Sequence, residues 1–321
     1  MKAAIYQSYG PPEVVHVEEI ETPKIKPHEF LVKVHVATVN RTDCGFRSAE
    51  YVVSRLFSGL LKPRIPVLGN EFSGEIVETG ALVRAYRVGD RVFGYNDTSF
   101  GAHAEYLVAR ETDALDLVPD NLSYMEAAPL TEGAHYALCN IRAAGVKPGQ
   151  TVMVYGATGA IGSAAVQLLR HLNTQVTAVC HPDRISLVRS LGAEEVRDYL
   201  SGNFTDTEKR YDFIFDAVGK SSFGECRKIL KPTGRYISTE PGKNGENIFL
   251  AIAHKFSSGK RVLFPIPQVK KEDIAWLGEL AGKGIFKPLV DRTYPLSEIV
   301  EAYRYVETGQ KTGNVLLLPG K

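Results

Sequence analysis

Along the first third of the chain, apolar residues alternate with polar ones or gather in short runs. This spacing predicts strands. Lys2–Tyr6, Val14–Ile20, Phe30–Val39, Ser73–Thr79, Arg91–Gly94 and Ala104–Val108 follow it, with glycine and proline between them. The stretch from Arg47 to Pro66 has no clear period; its Tyr51, Phe57, Leu60 and Leu61 either cover a core or wall a substrate pocket. Near Ser123 the period lengthens. Ser123 with Glu126 three residues on is a capping-box signature, and the Ala-rich run to Ala144 reads as one long helix ended by Gly145 and Pro148.

From Thr151 onward the two periods alternate. An apolar run, Thr151–Tyr155, breaks at Gly156-Ala157-Thr158-Gly159-Ala160-Ile161-Gly162, and helical spacing resumes over Ser163–Arg170. Further β-like runs, Gln175–Cys180, Asp212–Val218 and Arg235–Thr239, each close on small or polar residues. Repeated strands with helices between them predict an α/β fold with a doubly wound parallel sheet of the Rossmann type. Glycine lets the backbone turn sharply and approach a pyrophosphate, and a helix starting near Ala160 points free N–H groups at that anion. All seven residues of the turn are therefore candidates for dinucleotide binding. Arg261–Pro267 is expected to form the last strand of this sheet at its edge, because Pro265 lacks an N–H. A helix over Glu272–Gly282, a strand over Lys287–Thr293, a helix over Leu296–Thr308 and a strand over Asn314–Leu318 complete the pattern.

Composition narrows the partners. At 321 residues the chain is long enough for two cores, and 44% apolar with 23% charged residues is the balance of a globular protein. A formal charge of +1 gives no electrostatic reason to expect nucleic acid or an anionic membrane. Cys44, Cys139, Cys180 and Cys226 form no CxxC pair, so neither a zinc knuckle nor a disulfide framework is indicated and a cytoplasmic setting is expected. Met1–Ile5 leads into a strand pattern rather than a signal peptide, and no run approaches the roughly 20 apolar residues of a membrane helix.

Several stretches taken together resemble one family. They are Ala37-Thr-Val-Asn40-Arg-Thr-Asp43, Leu68-Gly-Asn-Glu-Phe-Ser-Gly74, Val88-Gly-Asp-Arg-Val-Phe93, Gly156–Gly162, Leu191-Gly-Ala193, Asp212–Gly219 and Lys311-Thr-Gly-Asn314. In this order they resemble the medium-chain dehydrogenase/reductase superfamily, and within it the zinc-free quinone oxidoreductase branch with its zeta-crystallin-like and alkenal/enone reductases. The resemblance implies a Rossmann unit over 122–267 inserted in a β-rich GroES-like catalytic domain, 1–121 plus 268–321. It also implies a homodimer joined through the edge strand. Zinc alcohol dehydrogenases of the superfamily carry cysteine where this chain has Asn40, and Gly-His-Glu where it has Gly69-Asn70-Glu71. Asparagine is a poor zinc ligand, so no metal is expected. His103 and His135 are left as isolated histidines.

Without a Lewis acid, the expected reaction is hydride transfer to an already electrophilic small molecule, a quinone or an α,β-unsaturated carbonyl compound. The resemblance places Asn40, Thr42, Asp43 and Tyr51 in the substrate cleft. Asn40 would donate to substrate or ribose, Tyr51 or a water would supply the proton, and Asp43 would fix the loop. It brings Thr131, Ala217, Val218, Phe264 and Asn314 to the cofactor. NADPH is expected over NADH because the second strand ends at Cys180 rather than an acidic residue. His181, Arg184 and Tyr199 stand where a 2′-phosphate would be read, with Asp183 as the departure. The alternative is a nucleotide-binding structural or regulatory zeta-crystallin-like protein with little turnover. A short-chain dehydrogenase is excluded: the glycine turn comes after residue 150, and no tyrosine has a lysine four positions later.

Overall fold

The structure, a computed structural model, describes residues 1–49, 55 and 58–320; Tyr51 and Phe57 lie outside them. Two compact units make up the chain: Met1–Glu132 with Val269–Lys321, and Gly133–Gln268. Residues 122–132, expected with the dinucleotide unit, pack with the first one.

The first unit opens with β1 (Lys2–Tyr6), β2 (Val15–Glu19), β3 (Glu29–Val39), β4 (Glu71–Thr79), β5 (Arg91–Tyr95), β6 (Tyr106–Arg110) and β7 (Ala114–Leu117). The second contributes β8 (Thr151–Tyr155), β9 (Gln175–Cys180), β10 (Glu195–Asp198), β11 (Tyr211–Asp216), β12 (Leu230–Ser238) and β13 (Arg261–Val262). The chain then returns to the first unit with β14 (Val290–Pro295) and β15 (Asn314–Leu318).

In the first unit, seven strands run β14-β15-β3-β4-β5-β7, with β6 also on β3. The long β3 is the spine. Of its 11 residues Lys33 alone is exposed, as a strand covered on both faces requires. Phe30, Val32, Ile76, Val92, Tyr303 and Val306 meet in its core, each worth about 1.5–3 kcal/mol if fully withdrawn from water.

In the second unit all pairings are parallel and the order is β10-β9-β8-β11-β12-β13. Counting from β8, the order is 3-2-1-4-5-6, the Rossmann arrangement, in which ligands sit beyond the carboxyl ends of the strands. β13 is at the edge as expected but is only two residues long. Leu263 N–H still bonds Tyr236 O, and the missing N–H of Pro265 stops the ladder from going further.

Two local expectations change. A helix not foreseen in the sequence runs over Arg41–Ser48; Cys44 and Phe46 are too few apolar positions to mark a helical period. The Ala-rich run is also not one helix. Tyr124–Ala127 gives way to a 3-10 turn at Ala128–Leu130, and a new helix covers Glu132–Ala143. Pro129 has φ −84 and ψ 20, has no N–H to donate and clashes with the preceding turn. The break leaves the Thr131 and Glu132 amides free for another acceptor. Leu60 and Leu61 are exposed, so they do not cover a core within their own unit.

Candidate functional site

A buried carboxylate organises the first unit's candidate residues. Glu71, at the start of β4, accepts at Oε1 from Thr131 N (2.6 Å), Thr131 Oγ1 (2.8 Å) and Glu132 N (2.7 Å). At Oε2 it accepts from Thr38 Oγ1 (2.8 Å) and Asn40 Nδ2 (3.3 Å). Asn40 Nδ2 also donates to Thr38 Oγ1 at 2.7 Å. Both amide hydrogens of Asn40 are thereby used inside the cluster, which corrects the expectation of a free donor toward substrate. Asp43 is wholly buried and accepts from Asn40 N at 2.9 Å and Gly69 N at 3.0 Å, tying the Arg41–Ser48 helix to the loop before β4.

Thr42 Oγ1 donates to Glu132 Oε1 at 2.5 Å. Glu132 Oε2 is buried without a hydrogen-bond partner, and so are both amide atoms of Asn70. The Asn70 amide lies beside Glu132 and favours its ionised form, but without normal hydrogen-bonding geometry. Burial, and then the charges of Asp43 and Glu71, push the Glu132 carboxyl well above its ordinary value. Burial also raises Glu71, against the pull of the donors from Glu132, Thr131 and Thr38. Lys311 donates to Gly313 O; burial lowers its pKa, and the charges of Glu132 and Glu71 oppose that shift. Burial therefore favours the protonated form of the Glu132 carboxyl behind the Thr42 hydroxyl. Tyr51 lies outside the described residues.

The second unit gathers its candidates at the carboxyl ends of its strands. Gly156, after β8, has φ +78, and a Cβ there would meet Val218 Cγ1 at 2.6 Å. A Cβ on Gly162 would lie 2.1 Å from Gly156 O, so only glycine lets the Ala160–His171 helix start this close to the turn. Gly159 is the N-cap and has no side-chain cap bond, so the first N–H groups of this helix stay open to an anion. Cys180 is buried at the end of β9, its thiol pushed up to about 11 by burial and by Asp198 beside it. His181 meets the Tyr199 ring edge-on at 5.9 Å between centroids. Asp183 points to solvent, 79% exposed, with its carboxylate 3.5 Å from His181 Nδ1; it is not paired with Arg184. Ala217 and Val218 follow β11, where buried Asp216 accepts from Val218 N, Lys220 N and Ser221 N and shapes the loop. Phe264 follows β13 and is half-buried.

Thr131 and Asn314 belong to the first unit. The Thr131 hydroxyl is spent on Glu71, whereas Asn314 Nδ2 donates to Leu289 O and leaves Oδ1 unpartnered. Sequence reasoning assigned no role to Thr38, Glu71, Glu132, Lys311 or Asp216. The one available signal for Glu132 was an acidic residue beside Thr131 within an Ala-rich run.

Zinc does not fit this donor set. The Asn40 amide nitrogen faces a carboxylate and a hydroxyl as a donor, and both His103 nitrogens are engaged, Nε2 with Thr38 O and Nδ1 with Tyr303 Oη. The remaining oxygens of Asn70 and Glu132 bring neither thiolate nor imidazole.

Two family models match: "Alcohol dehydrogenase GroES-like domain" over residues 26–120 and "Zinc-binding dehydrogenase" over 191–317. A 2-methylene-furan-3-one reductase of Solanum lycopersicum is 29% identical over 99% of this chain and 79% of its own. An NADPH-dependent alkenal/one oxidoreductase, chloroplastic, of Arabidopsis thaliana is 28% identical over 99% of this chain and 80% of its own. Among solved structures, the quinone oxidoreductase from Coxiella burnetii superposes with a TM-score of 0.88 at 28% identity, covering 99% of each chain.

Proposed function

The chain belongs to the medium-chain dehydrogenase/reductase superfamily, in its quinone oxidoreductase branch, and on that premise we propose that it reduces quinones or α,β-unsaturated carbonyl compounds with NADPH and without metal. The observation that carries this reading is the glycine cradle of Gly156 and Gly162, whose backbone leaves no room for a Cβ and opens helix N–H groups to a pyrophosphate. A bound nicotinamide supplies the hydride. The relatives' names, reductase of a 2-methylene-furan-3-one and alkenal/one oxidoreductase, support an enone-type acceptor. The test is NADPH oxidation with a panel of quinones, 2-alkenals and enones in the presence of a chelator. Acceptor-dependent turnover is expected. No acceleration by any of them would favour a nucleotide-binding regulator instead.

The proton that completes enone reduction is assigned to Glu132, acting through Thr42. Thr42 Oγ1 lies 2.5 Å from the carboxyl. Once Glu132 is protonated the bond reverses, its O–H donating to Thr42 Oγ1 while the Thr42 O–H turns outward, so Thr42 gives up its own proton as it takes that of Glu132. Glu132→Gln keeps the shape and an acceptor for Thr42 but holds no transferable proton. It is expected to lower kcat about 10²-fold and to flatten its pH profile. An unchanged profile would remove Glu132 from the relay. Stability should respond too. The folded chain holds this proton above the ordinary carboxyl value of 4.5. The stabilisation is therefore full below that value and is lost as pH rises through the folded pKa. Chemical denaturation of Glu132→Gln from pH 4.5 upward should show a shallower decline than the parent.

For the cofactor, exposed Asp183 is turned toward His181 and does not occupy Arg184, which supports Arg184 as the reader of a 2′-phosphate. A charge-assisted bond of about 1.5–3 kcal/mol predicts that Arg184→Ala weakens NADPH use roughly 10–100-fold and leaves NADH use nearly unchanged. Equal losses with both cofactors would point to folding instead.

The exposed apolar side chains Phe249, Ile252, Phe256 and Ile266 near the β13 edge support the dimer. Light scattering should return twice the 35.3 kDa chain mass; a monomer mass at micromolar concentration would end this part of the proposal.

A further inference from the structure

At the amino ends of the second unit's strands lies a polar groove of about 330 Å³. Lys147, Arg235, Arg261, Ser257, Ser258 and Asp212 line it. It is remote from the dinucleotide turns. Asp212 is the second residue of β11 and Ala217 follows its end, a run of about 16 Å at the 3.3 Å rise of a parallel strand.

The two arginines are direct neighbours. Arg235 on β12 pairs in register with Arg261 on β13, so their side chains leave the sheet about 5 Å apart. Both are half-buried. Among the described residues, neither guanidinium has a hydrogen-bond or ion-pair partner, and neither does the Lys147 ammonium. The one carboxylate in the groove is already engaged: Asp212 Oδ2 accepts from Thr151 N at 2.9 Å and Lys231 Nζ at 2.6 Å. Gly145, at φ +57, makes the room. A Cβ there would fall 2.7 Å from Arg235 Nη1. Burial, and then the adjacent Arg261, lower the pKa of Arg235.

Two like charges held side by side and partly desolvated cost free energy unless an anion joins them. Two planar forks, an ammonium and two serine hydroxyls match the oxygens of a phosphate group better than a single carboxylate, because each fork takes two oxygens. We propose that this groove binds a phosphate group, free or carried as a monoester on a small molecule, independently of the dinucleotide. The volume leaves space for a few heavy atoms beyond the phosphate.

Calorimetric titration at constant ionic strength tests this, with inorganic phosphate in one arm, glycerol 3-phosphate in a second and chloride as control. One saturable site is expected. Tighter binding of the monoester identifies a carried phosphate, and equal binding a free one. Arg261→Gln and Arg235→Gln should each weaken binding at least about 10-fold, the loss of one charge-assisted contact. Without anion, Arg261→Gln should melt no lower than the parent because it relieves repulsion. If that variant fails to fold or melts several degrees lower, the pair is structural and the proposal falls. Lys147→Ala, on the exposed rim, gives an independent reading and should weaken binding while leaving the melt unchanged. No saturable heat at millimolar phosphate, or equal heats in parent and variants, overturns the site.

Discussion

Glu71→Ala is expected to destabilise the first unit by about 4 kcal/mol or more, at the top of the range for a single substitution. Five donor contacts converge on this carboxylate, from Thr38, Asn40, Thr131 (twice) and Glu132. Alanine leaves them around a cavity, and each unmet buried donor costs about 1–3 kcal/mol. Relaxation of the Thr38 and Thr131 hydroxyls toward other acceptors keeps the total below the simple sum. Glu71→Gln preserves one acceptor oxygen but turns an amide NH2 toward the Asn40 amide, so an intermediate loss is expected. Equilibrium denaturation reads the stability. The geometry of Asn40 and Thr42 should loosen in parallel, so turnover should fall even where the variant remains folded. A Glu71→Ala protein within about 1 kcal/mol of the parent would show that water replaces the carboxylate and that the cluster does not depend on it.

Gly162→Ala is expected to cost at least about 100-fold in NADPH affinity, a loss of roughly 2.7 kcal/mol. The new Cβ would meet Gly156 O at 2.1 Å and Gly156 C at 2.8 Å. Both are backbone atoms of the turn, so relief requires moving the helix away from β8 and with it the amides proposed to receive the pyrophosphate. Gly159→Ala is the informative contrast. Its Cβ would find Gly156 O at 3.9 Å and nothing closer, and its φ is −70. The fold therefore accepts this alanine, and any loss of affinity there reports contact with the ligand itself. Fluorescence titration with NADPH and a thermal melt on both variants separate the effects. Parent-like binding by Gly162→Ala would mean the turn opens at little cost despite the 2.1 Å approach to Gly156 O.

The parallel sheet was legible because its signals are local. Thr151–Tyr155 breaking into Gly156–Gly162 states strand, turn and helix within a dozen residues, and the Gln175–Cys180 run matches β9 end to end. The strands of the first unit were legible for the same reason, in the alternation around Phe30–Val39 and the apolar run Asn314–Leu318. The Arg41–Ser48 helix was not, because its stability comes from Asp43 bonding Asn40 N and Gly69 N and from burying Cys44, which are contacts rather than a period. The β13 edge was predicted from Pro265, but its length was not, since a ladder ends where its neighbour ends.

By itself, then, the chain determined the glycine turn, most of the strands and the family resemblance, all of which rest on short-range patterns along the sequence. Tertiary structure alone decided what the polar residues do. Thr38, Glu71 and Thr131 are far apart in sequence, and Thr42 and Glu132, 90 positions apart, carry no hint of their hydrogen bond. Whether a carboxyl keeps its ordinary pKa at the surface or is raised by burial depends on desolvation and on neighbouring charges. Both are set by residues distant along the chain and adjacent only once β3, β4 and the break at Pro129 have brought them together.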